Sequence, residues 1–479
     1  MKRLVFIFTI PICGCLLFTS GCGKKRDARA ELKLKQATGL PKMEFAPGSP
    51  GYSNRMFEWS KELYVGGYQQ AGTKNPRWDE AVLDSLEEYS YLRITGHSRN
   101  PSETDHLETQ LKKAVNAGCS DPFIRYLYLQ LVSHAPNATK PQVAADYSNI
   151  ATRMDATGYG NLLKFYVHLR AAEAWRAAST KQAPEVNHHR RVAMNKLQAI
   201  LTSEEIPARP AYEACRDLYD AIDKNKKQRT DFYTNTEPIL MARWPAEGFP
   251  YLIKATFYLD YAWEARGTGW ARDVSEAARR LFIDRLDIVE EALNKAWKYD
   301  QSIAETPMAG LRLELGQGKG RERMEMWYKR ALAFPQNHSE AIRQKLWYLE
   351  PRWYGSEEEC LAFAREIMKS DLYYDQELLQ PFFVHQSFAE YFQSTRPDYW
   401  NEPQVWPDVE ASFERFFERS GEDDKWRKIY IRCAWRCHRW KKMDEQISKL
   451  RDIDYGYFGG QEAFEKMKQL AREQAQKPE

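Results

Sequence analysis

Hydrophobic and polar positions follow a helical period over most of the chain. Met324, Trp327, Tyr328 and Ala331 are spaced i, i+3, i+4 and i+7, and the same spacing recurs from Leu286 to Ala296. An apolar stripe of this kind covers one side of an α-helix. The strict alternation that is typical of half-buried strands is absent beyond about residue 53. The pattern therefore predicts an all-α protein.

Small residues recur inside these stripes. Ala296, Ala331 and Ala364 are separated by steps of 35 and 33 residues. A small side chain lets two helices cross closely, at about 8–10 Å. A period near 34 residues resembles the tetratricopeptide repeat, although the Trp, Gly and Tyr signature of that repeat's first helix is not cleanly present. The expected fold is a tetratricopeptide-like solenoid of stacked helical hairpins, because one hairpin cannot bury its stripe alone.

Several helix starts are marked by capping residues. Asp121-Pro122 offers an N-cap followed by proline at the first helical position. Ser356 to Glu359 has the spacing of a capping box, and Asp273 to Glu276 has the same spacing.

The N-terminus looks like an export signal. Basic residues at Lys2 and Arg3 precede an apolar run from Leu4 to Phe18, which is too short to span a bilayer. The following Thr19-Ser20-Gly21-Cys22 resembles the bacterial lipobox, with Thr19 in place of the usual Leu. The resemblance implies a signal peptide over 1–21, acylation of Cys22 and export to a periplasmic or outer-surface face of a bacterial membrane. Cys15 as the lipid site and an ordinary signal peptide remain alternatives.

The rest of the chain divides by composition. Residues 22–52 contain the lipidated Cys and a Pro/Gly-rich linker, whose Lys24-Lys25-Arg26 either touches anionic headgroups or is solvated. We expect an N-terminal helical region over 53–244, a repeat core over 245–370 and a C-terminal helical region over 371–479.

Composition excludes some functions. The 70 basic and 67 acidic residues give a net charge of +3, which argues against a nucleic-acid partner. The charged fraction of 29% and the mean hydropathy of −0.68 argue against further membrane spans. The 15 Trp, 27 Tyr and 22 Phe indicate thick helix packing or stacking surfaces for sugars or peptides. The five cysteines after Cys22 are widely scattered, so we expect buried thiols rather than a disulfide framework.

Three phrases, at 265–271, 315–321 and 349–356, stand out together with Tyr261-Ala262-Trp263. They are similar to an uncharacterised bacterial family, catalogued as a domain of unknown function, that often accompanies tetratricopeptide-like repeats. The resemblance covers about residues 245–370. It implies a helical fold and an extracytoplasmic setting, and it implies no activity.

These phrases contain the candidate binding residues. Arg266 and Trp270 flank glycines that are typical of a helix stop, and they are also a cation and a stacking surface for a groove. Arg352 and Trp353 end another helix, where they either form an internal cation–π pair or contact a ligand. We expect Trp270 and Trp353 near the groove, and both Trp297 and Trp327 in the core.

Other motifs do not indicate a catalytic, metal-binding or cofactor-binding site. Gly316 to Gly320 lacks the spacing of a phosphate loop and predicts a turn. Cys433, Cys437 and His438 fit neither haem attachment nor a four-ligand zinc site and indicate a buried stripe. The pair His188-His189 is expected to be exposed. Because no catalytic motif is present, we predict no enzyme, no catalytic residue, no metal and no cofactor.

Three functions remain. The preferred one is a lipid-anchored helical-repeat scaffold that binds a protein partner at the cell envelope. The second is a glycan-binding lipoprotein with exposed aromatic side chains. The third is an enzyme that acts on peptidoglycan, which requires a buried carboxyl group with a raised pKa.

Overall fold

The fold is all-α, as predicted. A computed structural model describes residues 50–95, 105–133, 138–178, 183–222, 226–269, 271–373 and 375–476. Every regular element in these ranges is helical, and no strand occurs in them. The predicted signal peptide, Cys22 and the linker as far as residue 49 lie outside the described residues.

The chain forms two compact units that divide between Gly316 and Gln317. The boundary falls inside the segment 245–370, which the sequence predicted to be one continuous repeat core. The local cause is a turn in which Gly318 and Gly320 have φ angles of 60° and 112°. These left-handed conformations suit glycine and end the helical path.

The first unit consists of thirteen α-helices within the described ranges. They are α1 (Pro50–Lys61), α2 (Gly67–Ala71), α3 (Asp79–Thr95), α4 (His106–Asn116), α5 (Pro122–Val132), α6 (Lys140–Asp155), α7 (Asn161–Ala178), α8 (Pro184–Thr202), α9 (Ala208–Ala221), α10 (Lys226–Arg243), α11 (Gly248–Arg266), α12 (Glu276–Tyr299) and α13 (Glu305–Gln317). A π-helical turn (Glu62–Gly66) joins α1 to α2, and a 3₁₀ turn (Ala271–Asp273) precedes α12.

Helices of the first unit pack mainly on their neighbours in sequence. From α3 to α12, nearly every helix contacts the next one. In addition, α7 contacts α9, α8 contacts α10, and α9 contacts α11. Contacts to the next helix and to the next but one are the pattern expected for stacked helical hairpins.

The second unit continues the same pattern. Its helices are α14 (Arg321–Leu332), α15 (His338–Leu349), α16 (Glu357–Lys369), α17 (Gln380–Tyr391), α18 (Val405–Ser420), α19 (Asp424–Arg436), α20 (Trp440–Ser448) and α21 (Gln461–Ala475). Short 3₁₀ turns occur at Pro335–Asn337, Asp375–Leu379 and Tyr399–Asn401. Each helix from α14 to α20 packs on its successor, and α16 also packs on α18.

The predicted core positions are buried. Ala296, Ala331 and Ala364 are each 0% exposed, and both predicted stripes are inside. Trp297 and Trp327 are also buried, as expected. Full burial of one large apolar side chain contributes about 1.5–3 kcal/mol, so these stripes are a main source of stability.

The helix caps predicted at Asp121 and Ser356 are present. The carboxylate of Asp121 accepts hydrogen bonds from the backbone N–H groups of Phe123 and Ile124. Ser356 Oγ accepts one from the N–H of Glu359. The prediction for Asp273 was wrong, because α12 begins at Glu276 and its cap is Ser275, whose Oγ accepts from the N–H of Ala278.

Two further properties of the fold concern the cysteines and the hydropathy of the helices. Cys119, Cys215, Cys360, Cys433 and Cys437 are buried and form no disulfide with one another, as the scattered spacing predicted. Within the described ranges, no helix is both long and apolar enough to cross a membrane.

Candidate functional site

Arg266 closes the end of a helix. It lies in the last turn of α11, and its Nη1 donates to the carbonyl oxygens of Gly267 and Gly269 at 3.2 and 3.3 Å. Its guanidinium is 5.7 Å from the ring centre of Trp263. These contacts give Arg266 a role in holding the turn after α11. Trp270, its predicted partner, lies outside the described residues.

Arg352 and Trp353 follow α15 in the second unit. Arg352 is exposed and donates through Nε to Glu350. Trp353 is half-buried, with its ring 6.4 Å from that of Trp347 in an edge-to-face arrangement. Arg266 belongs to the first unit, whereas Arg352 and Trp353 belong to the second.

A larger set of polar side chains occurs in the first unit. We call it the charged face, and it is formed mainly by the odd-numbered helices α3, α7, α9, α11 and α13. Its members interact electrostatically with one another and are Arg93, Tyr166, Arg170, Glu173, Glu213, Arg216, Asp217, Asp220, Arg229, Asp260, Glu305 and Arg312.

Asp260 of α11 is the most connected carboxylate of the charged face. Its Oδ2 accepts from Arg229 Nη1 at 2.6 Å and from the Tyr219 hydroxyl at 3.1 Å, and its Oδ1 accepts from Arg312 Nη2 at 3.1 Å. The guanidinium of Arg229 also lies 4.7 Å from the ring centre of Tyr219. One carboxylate thus joins side chains from α9, α10 and α13.

Arg216 of α9 makes a second bridge to α13. Its Nη1 donates to Glu305 Oε1 at 2.8 Å, and its Nη2 donates to Asp217 at 2.9 Å. Burial raises the pKa of Asp217, although Arg216 opposes this effect. The arginine is therefore held between two carboxylates in a partly water-excluded environment.

Tyrosines surround the charged groups near α3. The rings of Tyr64 and Tyr89 are 4.9 Å apart, edge to face. Burial raises the pKa values of Tyr64 and Tyr166 above the usual range, and Arg93 is among the charges that act on both. The phenol groups stay protonated at neutral pH and offer hydrogen-bond donors beside Arg93.

Two charged residues of this face have no ion pair with another residue that the structure describes. Among the described residues, no carboxylate lies within 4 Å of the Arg93 guanidinium, and no basic group lies that close to the Asp220 carboxylate. Both residues are exposed to solvent. Burial nevertheless raises the pKa of Asp220 to about 6, with the charges of Arg216 and Asp217 as smaller contributions.

The sequence contains a signal for this face that our prediction did not use. Arg209, Glu213, Arg216 and Asp220 are spaced by four, three and four residues, so they share one side of α9. Charged residues are common throughout the chain, which made this stripe look like an ordinary solvated surface. The partners on other helices cannot be identified from the spacing.

A buried hydrogen-bond chain links α6, α7 and α8. Trp175 Nε1 donates to Ser148 Oγ at 2.7 Å, and Ser148 lies 2.8 Å from His189 Nε2. The Nδ1 atoms of His189 and His168 are 2.9 Å apart, and His168 Nε2 is 3.0 Å from Asp155 Oδ2. Both imidazoles are almost fully buried.

The ends of this chain determine the positions of its protons. Trp175 can only donate, and an ionised carboxylate can only accept. Although burial alone would raise the pKa of Asp155, its interactions with His168 and Lys196 hold the pKa below its usual value, so this carboxyl group is ionised at neutral pH. Ser148 therefore donates to His189 Nε2, His189 Nδ1 donates to His168 Nδ1, and His168 Nε2 donates to Asp155. Both histidines are neutral in this arrangement.

Only half of the prediction for His188-His189 was right. His188 is exposed, whereas His189 is 4% exposed. The side chain of His189 faces α6 and α7, where His168 and Ser148 provide hydrogen-bond partners for both ring nitrogens. Burial lowers the pKa of His189 to about 4.

The second unit contains a separate buried network. His385 Nδ1 lies 2.8 Å from the Tyr399 hydroxyl, and Nε2 lies 3.0 Å from Asp408 Oδ2. Arg365 donates to both carboxylate oxygens of Asp408 at 2.7–3.0 Å. His385 and Tyr399 are 0% and 1% exposed, so this network ties α16, α17 and α18 together rather than facing a ligand.

Metal ligands and stacking surfaces are sparse. In the part of the chain that the structure describes, no group of three or more His, Cys, Asp or Glu side chains is placed to hold a metal ion. The exposed large aromatic side chains in the same ranges are Tyr299, Tyr354, Tyr391 and Trp435.

Comparison of the chain with protein-family models, with curated protein sequences and with solved structures finds no match.

Proposed function

We propose that this protein is a helical-repeat scaffold that binds a polypeptide segment of a partner protein along the charged face. We further propose that it acts at a bacterial cell envelope, to which a lipid on Cys22 anchors it. The observation that supports partner binding is the set of partly exposed charged side chains on α3, α7, α9, α11 and α13.

The internal ion pairs favour binding because they fix the geometry in advance. Arg229, Asp260 and Arg312 have side chains that are 19%, 22% and 40% exposed, so each is accessible and also held. A side chain that is already ordered loses less conformational entropy when a partner arrives. Mixed arginines, tyrosines and carboxylates match the donors and acceptors of a peptide.

Glycan binding has less support. Sugar recognition of the expected kind needs exposed aromatic rings, and most aromatic side chains of the described residues are buried. Catalysis on peptidoglycan also has less support, although Asp220 has the raised pKa that such a mechanism requires. The two carboxylates that act on Asp220, those of Asp217 and Asp260, are already ion-paired with arginines, which gives them a structural role.

Selection from a phage-displayed library of random 12-residue peptides tests the binding proposal. We expect the purified full chain to enrich peptides whose binding is lost in Arg312→Ala. Lys295→Ala is the matched control, because Lys295 is an exposed cation on α12 with an intrahelical carboxylate partner. The proposal fails if no enriched peptide discriminates Arg312→Ala from Lys295→Ala.

Membrane fractionation tests the anchor. Cys22→Ala should move the protein from the membrane to the soluble fraction, because stable anchoring requires acyl chains. Cys15→Ala is the control and should leave the protein on the membrane. Retention of Cys22→Ala on the membrane would refute lipid attachment at Cys22.

A further inference from the structure

The charges of the charged face are nearly all matched within the protein. Arg170 pairs with Glu173 at 3.0 Å, and Arg209 pairs with Glu213 at 3.1 Å. Arg216 is shared by Asp217 and Glu305. A partner that engages these groups must compete with existing ion pairs.

Asp260 is matched more completely than any of these. It accepts from two arginines and one tyrosine, so each of its oxygens has at least one donor. Replacing any of these bonds with a bond to a partner gains little, because one charge-assisted hydrogen bond is exchanged for another. The matched charges therefore fix the shape of the face and contribute little selectivity for charge.

Arg93 and Asp220 differ from the rest of the face. Neither has an ion pair with another described residue, and both are exposed. A partner that supplies the missing charge forms a new ion pair without breaking an old one. Such groups gain more from a complementary charge than any matched group on the same face.

We propose that Arg93 and Asp220 are the two charge anchors of the face: Arg93 binds a carboxylate of the partner, and Asp220 binds an ammonium or guanidinium group of the same polypeptide segment. This inference rests on the proposed function, since it names the chemistry of the partner at the same face.

The surroundings of Arg93 suit a carboxylate. The phenols of Tyr64, Tyr89 and Tyr166 are near its guanidinium, and Glu213 is the only carboxylate among the main charges that act on it. Glu213 is itself neutralised by Arg209. Hydroxyl donors beside an unmatched guanidinium give a bound carboxylate more than one hydrogen bond.

The surroundings of Asp220 suit a cation. The charged groups that act on Asp220 are Arg216, Asp217, Asp260 and Arg229. Both arginines already bind carboxylates, so a positive group from the partner finds Asp220 without a local competitor. A bound cation would favour the ionised form of Asp220, and its affinity should therefore depend on pH near the pKa of this carboxyl.

The charge requirement is tested with the same peptide library on the purified full chain and on charge-reversed variants. The wild-type chain should enrich peptides that contain both acidic and basic residues. Arg93→Glu should abolish the enrichment of acidic residues, and Asp220→Lys should abolish that of basic residues. For one synthetic peptide from the wild-type selection, we expect each reversal to weaken binding at least about 10-fold.

Neutral variants separate charge recognition from misfolding. Asp220→Asn keeps the side-chain size and Arg93→Gln keeps the first three side-chain carbons, and each variant should weaken binding of the same peptide several-fold, with unchanged circular dichroism. If peptides bind in a manner that depends on Arg312 but ignore all four variants at Arg93 and Asp220, the anchor assignment is wrong while the proposed function stands. If no peptide depends on the charged face, both are wrong.

Discussion

Replacement of His189 is the most quantitative test of the structure. His189→Gln removes a titrating imidazole whose two ring nitrogens contact Ser148 and His168 at 2.8 and 2.9 Å. At pH 7 the loss of one or both hydrogen bonds in a buried position should destabilise α6 to α8 by about 1–3 kcal/mol.

The pH dependence has a definite sign. In the folded protein, burial holds the pKa of His189 at about 4, compared with 6.5 for an unperturbed histidine. The unfolded state therefore binds more protons between these values, and the stabilisation is lost as the pH falls from 7 towards 4. For these two values, the loss between pH 7 and pH 5 is about 2 kcal/mol. Burial also lowers the pKa of His168, which acts in the same direction.

Structural consequences should be local. A proton added at Nδ1 of His168 would face the proton that His189 already donates across 2.9 Å. The two rings cannot keep this contact when both nitrogens carry hydrogen, so the link between α7 and α8 should break first.

Hydrogen exchange of the amides in α6, α7 and α8 at pH 5, 6 and 7 measures the opening free energy. With intrinsic exchange rates corrected for pH, the wild type should lose about 2 kcal/mol more than His189→Gln between pH 7 and pH 5. His188→Gln is the matched control, since His188 is exposed, and it should follow the wild type. Parallel pH profiles for the wild type and His189→Gln would refute the assigned proton arrangement.

Three further predictions address the packing, the second unit and the face. Ala331→Leu should lower the free energy of unfolding of the second unit by about 1–3 kcal/mol in urea unfolding, because the position is 0% exposed. The control Ala411→Leu, at an exposed position, should change this free energy little, and equal effects would contradict close helix packing at Ala331. Tyr399→Phe should cost about 1–2 kcal/mol through the loss of its buried hydrogen bond, whereas the exposed Tyr391→Phe should be neutral, and a neutral Tyr399→Phe would show that the bond does not stabilise the fold. Affinity for a basic peptide should rise up to about 10-fold from pH 5 to pH 7, because Asp220 ionises near pH 6; isothermal titration calorimetry with Asp220→Asn as the control measures this, and an equal rise in both proteins would exclude Asp220 as the cause.

The sequence predicted the structural features that are determined within a single helix. The stripe from Met324 to Ala331 is buried because a period of 3.6 residues places its members on one side of α14. Asp121 and Ser356 cap helices because their oxygens reach amides only two or three residues away. Such features need no knowledge of the neighbouring helices.

Contacts between distant helices could not be predicted in this way. Arg216 and Glu305 are 89 residues apart in sequence, and His189 is 41 residues from Ser148. Neither pair is marked by a motif. A polar stripe that faces solvent contains the same residue types as a buried polar stripe whose members are hydrogen-bonded, so the two look alike in the sequence. Arg266, by contrast, lies at a helix stop, which was one of its two predicted roles. This role was predictable because the partners of Arg266 are its neighbours in sequence.

The charged face both stabilises the helix packing and binds the proposed partner, and particular residues serve only one of these two roles. Ion pairs through Asp260 and Arg216 join α9, α10, α11 and α13, so they hold the hairpins in register as well as shaping the surface. Each pair is 19–40% exposed and should contribute at most about 1 kcal/mol alone, although the network shares its members. Loss of Arg312 should therefore weaken both folding and binding. Among the residues that the structure describes, Arg93 and Asp220 take part in no ion pair, so neutral variants there should weaken binding alone, and a parallel loss of stability would show that these two residues belong to the structural network.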